Sequence, residues 1–158
     1  MKKTISILAA GGLLALAGTA MAATATSNFT VSASVSNGCR ISTAASAVNF
    51  GAYDPTDANP NDVGTGSFGY KCTKGTDYWT YITGVRQMAD GPEILNFELY
   101  SDAGRTTTFP ATKAAAGAAT TSANNGEVTK SYFGRIPAGQ DVTAGAAPSA
   151  ILTATVEY

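Results

Sequence analysis

The sequence predicts an all-β domain, a sandwich of short strands. Three features point there. Apolar residues recur with period two in short runs, clusters of Gly, Pro, Asn and Asp separate those runs, and no long amphipathic helix or internal repeat is visible.

The first run is FTVSASVSNGC at 29–39, where Phe29, Val31, Ala33 and Val35 alternate with Thr30, Ser32, Ser34 and Ser36. That is the pattern of a strand with one apolar and one polar face. Asn37-Gly38 interrupts it before Cys39; a strand of the domain proper is expected to resume around Ile41, with a short second one at 48–51. Residues 51–66 hold Pro55 and Pro60 among Asp54, Asp57, Asn59, Asn61 and Asp62, and read as a loop. The next expected strand, 67–72, places Cys72 inside a sheet, and Tyr78-Trp79-Thr80-Tyr81-Ile82 is strongly β-prone. A turn is expected at 88–92. In 94–100 (ILNFELY), Leu95, Phe97 and Leu99 face one way, and a turn then leads to a short edge segment at 107–109. Residues 114–119 carry helix-forming alanines, but Gly117 and the Thr-Ser-Ala-Asn-Asn-Gly stretch beyond predict an exposed loop. A strand over 128–136 contributes Tyr132, Phe133 and Ile136. In the last run, Leu152, Ala154, Val156 and Tyr158 share a face.

Lys2 and Lys3 precede a mostly apolar stretch over 5–17, and Ala20-Met21-Ala22 offers small residues where a signal peptidase reads. Residues 1–22 therefore read as a secretory signal peptide, the apolar stretch being shorter than the roughly 20 residues that cross a bilayer. Residues 23–158 suffice for one domain with one core. Without Lys2 and Lys3, eight basic residues face eleven acidic ones, a formal net of −3. With no basic patch and no aromatic-basic interleaving, nucleic acid is not an expected partner. Export puts Cys39 and Cys72 in an oxidising compartment, where a disulfide is the default and two free thiols the alternative.

Enzymatic chemistry finds little to work with. The chain has no His to titrate near neutrality. Asp54, Asp57 and Asp62 share a loop, but their spacing is not that of an EF-hand and such residues are ordinary turn formers. Neither a metal nor any other cofactor is expected. Asp90 and Glu93 read as solvated, and Asp102 with Arg105 as a local hairpin contact. Tyr78, Trp79 and Tyr81 raise the alternative of a carbohydrate-binding module, yet alternation sends Tyr78 and Trp79 to opposite faces, and Trp79 is expected in the core.

Two strands bear on function. The final run reaches the last residue, leaving an edge to be covered, and a polar tail leads into the alternating run at Phe29. If that run is given to a neighbouring molecule, each subunit completes the next by β-strand addition, a head-to-tail contact that propagates as an open fibre.

From Phe29 to Tyr158 the chain resembles the spore coat protein U domain family, whose Gram-negative members include subunits of archaic chaperone–usher pili. The resemblance is carried by FTVSASVSNGC, VNFGAY at 48–53, YKCTKGTDY at 70–78, Gly84 with Arg86-Gln87-Met88, ILNFELYSDAGRT at 94–106, YFGRIPAGQ at 132–140 and LTATVEY at 152–158. It implies an incomplete immunoglobulin-like sandwich completed by donor-strand complementation. Residues 23–36 would be the donor strand, with Phe29, Val31, Ala33 and Val35 facing inward, and 37–158 the pilin domain. Cys39–Cys72 would match the family disulfide, and Leu152, Ala154, Val156 and Tyr158 the acceptor edge. The implied partners are further pilin subunits, a periplasmic chaperone and an outer-membrane usher, and the implied destination is a surface pilus that supports adhesion and biofilm formation. A secreted spore-coat-like module is the alternative. One departure stands out: the family's Gly-x-Tyr-x-Asp before the last strand is here Gly145-Ala146-Ala147-Pro148-Ser149-Ala150. A single domain with a donor tail fits a rod or minor subunit better than a tip adhesin.

The alternation makes a direct prediction. Asp at Val31 or Val35 should block assembly into multimers far more than Asp at Ser32 or Ser34, because a buried unpaired charge is costly and the alternate face is wet. Gel analysis of multimers checks it; equal defects from both faces would count against the pattern.

Overall fold

The computed structural model describes residues 24–158, so the expected signal peptide at 1–22 lies outside the described residues. Residues 35–158 make one compact unit, and residues 24–34 fall outside it. In 24–34 every residue is exposed and none belongs to a strand.

The larger unit contains β1 (Cys39–Thr43), β2 (Thr65–Cys72), β3 (Asp77–Thr83), β4 (Gln87–Asp90), β5 (Glu93–Asn96), β6 (Glu98–Tyr100), β7 (Thr120–Thr121), β8 (Glu127–Arg135) and β9 (Thr153–Glu157). One sheet runs β1-β2-β8-β6, a second β7-β3-β9, and β4 and β5 form a separate hairpin; all pairs are antiparallel. Alternation decides what each strand buries. β2 turns Phe68, Tyr70 and Cys72 inward, β8 turns Tyr132 inward, and β3 supplies Tyr78 and Ile82 from the second sheet. The rings interlock, Tyr70 against Tyr78 edge-on at 5.2 Å and Phe109 against Tyr132 at 6.3 Å. Such pairs add about 0.5–1.5 kcal/mol each beyond their burial.

Glycines let the first sheet accept aromatics from above. A Cβ on Gly66 would sit 2.2 Å from the ring of Tyr132, its cross-strand partner, and that ring's hydroxyl donates to the Ser46 carbonyl. The expected strand at 48–51 is absent for a related reason. A Cβ on Gly64 would meet Val48 at 2.6 Å and one on Gly134 would meet Phe50 at 2.5 Å. Val48 and Phe50 thus lie down on the sheet instead of pairing along its edge, and Phe50 is buried. Ser46 holds this segment to β2, its amide donating to the Ser67 carbonyl at 2.9 Å.

The expected single strand at 94–100 is split at Phe97. Residues of β5 pair with β4 and those of β6 pair with β8, so the chain changes partner between them. Leu95, Phe97 and Leu99 are nevertheless all buried. The turn expected at 88–92 shrinks to Gly91-Pro92, where Gly91 takes a φ of 60°. Trp79 is a correction: it lies on the outer face, half-buried, with Nε1 donating to the Gly117 carbonyl at 3.0 Å and Lys113 Nζ 3.8 Å from its ring centre. Asp102 and Arg105 meet in the expected local contact through the main chain, the Arg105 amide donating to the Asp102 carbonyl at 3.0 Å, but their side chains part. Asp102 accepts from the amides of Thr106 and Thr107, whereas Arg105 turns to Asp62 and to the Gly134 carbonyl.

Cys39 and Cys72 stand opposite each other in the β1–β2 register and are bonded. On the opposite side of the molecule's core, residues 142–150 form a strap across the β4–β5 hairpin. Ala89 and Ser149 exchange amide-to-carbonyl bonds, Asp90 accepts from the Ala147 amide at 2.9 Å, and Glu93 accepts from the Thr143 hydroxyl and amide at 2.6 and 3.0 Å. These two bonds from Thr143 hold the Glu93 carboxyl below the ordinary Glu value.

Two outcomes follow. Replacing Cys39 and Cys72 by Ala should lower unfolding stability by about 4 kcal/mol on the chain-entropy model, given a sequence separation of 33 residues, as read from urea titration of oxidised and variant protein. The depressed Glu93 carboxyl makes its hold on the strap complete above the ordinary value of 4.5 and progressively lost as pH falls below it. The protection of the Thr143 amide, its hydrogen exchange corrected for the intrinsic pH dependence of amide exchange, should therefore fall on acidification, and Glu93→Gln should abolish that fall; an unchanged protection profile would contradict the assignment.

Candidate functional site

The site is a gap in the sandwich. Among the described residues, β9 pairs with β3 on one side only, so its other edge carries no ladder. β1 pairs with β2 alone, and the irregularity between Ile41 and Thr43 carries the chain off into 44–50. Among the described residues, β1 and β9 form no ladder with each other. Between the segment 45–50 and the approach to β9 the core is left uncovered.

Two adjoining cavities occupy this gap. The first, about 430 Å³, is walled by 45–48 on one side and by 148–152 with Ala154 on the other; Ile82, Phe97, Leu99 and Tyr132 form its floor. The second, about 720 Å³, continues between 48–55 and 142–148 over Leu95 and Ile136. Val48, Phe50, Met88 and Pro148 belong to both and form the waist between them. No charged side chain lines the first cavity, and Asp54 alone lines the second. A long trough, uncharged but for Asp54 at its far end, with an unpaired strand edge along its wall suits an extended apolar peptide.

Of the residues expected at the acceptor edge, Leu152 and Ala154 line the first cavity. Val156 packs against the core further along β9, and Tyr158 lies beyond the ladder, 61% exposed. Of the expected donor residues, Phe29, Val31 and Val35 are 86%, 82% and 84% exposed, and Ala33 is exposed as well. Three large apolar side chains in a row at that exposure are rare on a soluble surface without a partner.

Sequence reasoning missed most of the groove. Of the wall at 44–50, the sequence suggests only a short strand at 48–51, and of the strap at 142–150 it marks only 145–150, for lacking the family's aromatic and acid. Its signal was there in Gly145-Ala146-Ala147-Pro148-Ser149-Ala150: small residues let the strap lie flat on the hairpin, and Asp90 supplies the carboxylate from outside it. Met88, assigned to a turn, is part of the waist.

The carboxylates of the acidic loop are engaged by their own turns and by arginines. Asp54 accepts from Thr56 and Asp57 from Asn59 within their own turns, while Asp62 is held by Arg135 at 2.7 and 2.8 Å and by Arg105 at 3.4 Å. Those turn bonds lower the Asp54 carboxyl and the Arg135 bond lowers that of Asp62. Among the described residues, no group of three or more His, Cys, Asp or Glu side chains is placed to hold a metal ion. The Trp79 ring lies under Lys113, whose ammonium also bonds Glu157 at 2.9 Å, so it is no free platform for a sugar.

Comparison with known proteins agrees with this architecture. No curated protein matches the chain. Among solved structures, a chain of the crystal structure of the CsuC–CsuE chaperone–tip adhesion subunit pre-assembly complex, from the archaic chaperone–usher Csu pili of Acinetobacter baumannii, has a TM-score of 0.51 at 19% identity. The likeness covers 78% of this chain and only 40% of that one. It is a likeness of fold: the open antiparallel sheets form an incomplete immunoglobulin-like sandwich resembling a chaperone–usher pilus subunit. The Spore Coat Protein U domain model matches residues 25–151, most of the sequence, and the chain belongs to that family.

Proposed function

We propose that this chain is a non-catalytic structural subunit of a bacterial surface pilus, assembled through the chaperone–usher pathway by donor-strand exchange. The observation that carries this reading is the uncharged groove between 45–50 and 148–154, which exposes the floor of the core along an unpaired edge of β9. Residues 23–36 of a neighbouring copy are its occupant in the fibre, with Phe29, Val31, Ala33 and Val35 turned inward. Before assembly a periplasmic chaperone fills the groove, and an outer-membrane usher exchanges its strand for the neighbour's. Export through the periplasm under the direction of residues 1–22 precedes both steps, and the finished fibre serves adhesion and biofilm formation.

The energetics support the reading. Burying Phe29, Val31 and Val35 would contribute roughly 5–9 kcal/mol at about 1.5–3 kcal/mol per large apolar side chain. Main-chain bonds along β9 add about 1 kcal/mol each. The donor stretch 24–36 carries no charge, and neither does the first cavity, so no ionic group need be desolvated on insertion.

The deciding experiment removes residues 23–36 after the signal peptide. The truncated protein should be recovered folded with its chaperone, take up a synthetic peptide of residues 23–36, and form no multimers. Long polymers from the truncated protein would overturn the proposal, as would the intact processed protein persisting alone as a monomer with residues 29–35 in its own sheets.

A further inference from the structure

The charges of the domain are sorted toward its two ends. At one end, where residues 36–38 join the domain, stand Arg40, Lys71 and Lys74. Arg40 faces Lys71 across the β1–β2 ladder, and Lys74 sits in the turn after β2. None of the three is in an ion pair among the described residues, whereas Arg86, Arg105, Lys113 and Arg135 each are. Glu127 beside Lys71, and Asp77 at the start of β3, offset part of this charge and leave the end net positive. At the other end, Asp54, Asp57, Asp90, Glu93 and Asp141 surround the strap and the far mouth of the groove. Glu93 and Asp90 bind the strap, Asp54 lines the second cavity, and Tyr53 bonds the Pro137 carbonyl and the Gln140 amide beside Asp141. None of these five is in an ion pair among the described residues. The eight residues of β2, about 23 Å at the usual rise, separate the two ends.

We propose that successive copies meet end to end through this charge difference: the Arg40–Lys71–Lys74 end of the donor copy seats against the Asp54–Glu93–Asp141 end of the copy whose groove holds its strand. The partner is a second copy of this chain, and the contact rests on the donor-strand reading. Tether length forces the two domains together. Val35 is four residue steps from Cys39, about 14 Å at full extension. The root is itself pinned, Thr73 donating from its hydroxyl to the Ser36 carbonyl at 3.3 Å and from its amide to the Gly38 carbonyl at 2.8 Å. A donor whose Val35 lies at the strap end of the groove brings unlike charges together. The reverse insertion sets its basic end against the acceptor's own Arg40, Lys71 and Lys74, so the charge distribution also selects the direction of the strand.

Carbodiimide cross-linking of assembled multimers, made from a mixture of isotope-labelled and unlabelled protein, tests this. Links from Lys71 or Lys74 of one copy to Asp54, Glu93 or Asp141 of another are expected. Multimers whose inter-copy links from these lysines run only to Glu127 or Asp77, or are missing, would overturn the contact while leaving strand exchange standing. Absence of multimers would overturn both. A charge swap gives a second readout, since the Asp141 and Lys74 side chains make no hydrogen bond or ion pair among the described residues. Asp141→Lys should slow multimer formation about tenfold at low salt, and adding Lys74→Glu to the same chain should restore it. Equal rates for all three proteins would refute the proposal.

Discussion

Two twisted sheets can enclose a core only if strands cover its whole perimeter, because every buried amide and carbonyl needs a partner and every apolar side chain needs a neighbour. In this domain that condition fails along one side, between β9 and residues 44–50. Phe97, Leu99, Ile82 and Tyr132 belong to a well-packed interior and yet floor an open trough. The remaining structure is arranged around that gap. The strap at 142–150 is fixed to the β4–β5 hairpin by two carboxylates and a pair of main-chain bonds, and so extends one wall beyond the end of β9. Val48 and Phe50 occupy the recess above Gly64 and Gly134 and make the other.

The uncovered trough and the uncharged, alternating segment at 29–35 answer each other chemically. Both are apolar on one face, and both would be a liability alone: an unpaired edge invites unregulated pairing, and exposed Phe and Val side chains invite aggregation. A partner strand for each removes both problems at once. Membership of the Spore Coat Protein U domain family and the fold shared with a chaperone–usher complex are in keeping with that economy.

Where the sequence was readable, the reason was periodicity. In β2, β3 and β8 the large buried side chains (Phe68, Tyr70 and Cys72; Tyr78 and Ile82; Tyr132) fall on one face, and in 94–100 the buried face of Leu95, Phe97 and Leu99 survives a change of partner, because a side chain's direction depends on the local pleat and not on which strand it pairs with. What escaped depended on contacts distant in sequence. The 48–51 segment has strand-forming residues, but glycines at 64 and 134 decide that it lies on the sheet. Trp79 looked like a core residue by size, yet Tyr78 and Ile82 hold the inward positions and Lys113, 34 residues further along, covers it. The Arg105 amide bonds the Asp102 carbonyl three residues away, as a turn requires, but its guanidinium reaches Asp62 across 43 residues. No local pattern encodes such choices.

The disulfide also determines how the domain answers to force. A pull on the N-terminal segment passes the Thr73 bonds to Ser36 and Gly38 and then meets Cys39, the first residue of a peripheral strand that hydrogen bonds alone would let unzip one rung at a time. The covalent link to Cys72 shunts that tension directly to β2, an interior strand clasped on both flanks. Rupture then has to work against the β2–β8 ladder, seven rungs from Thr65–Phe133 to Lys71–Glu127. A tether rooted there withstands drag that would peel an unlinked one.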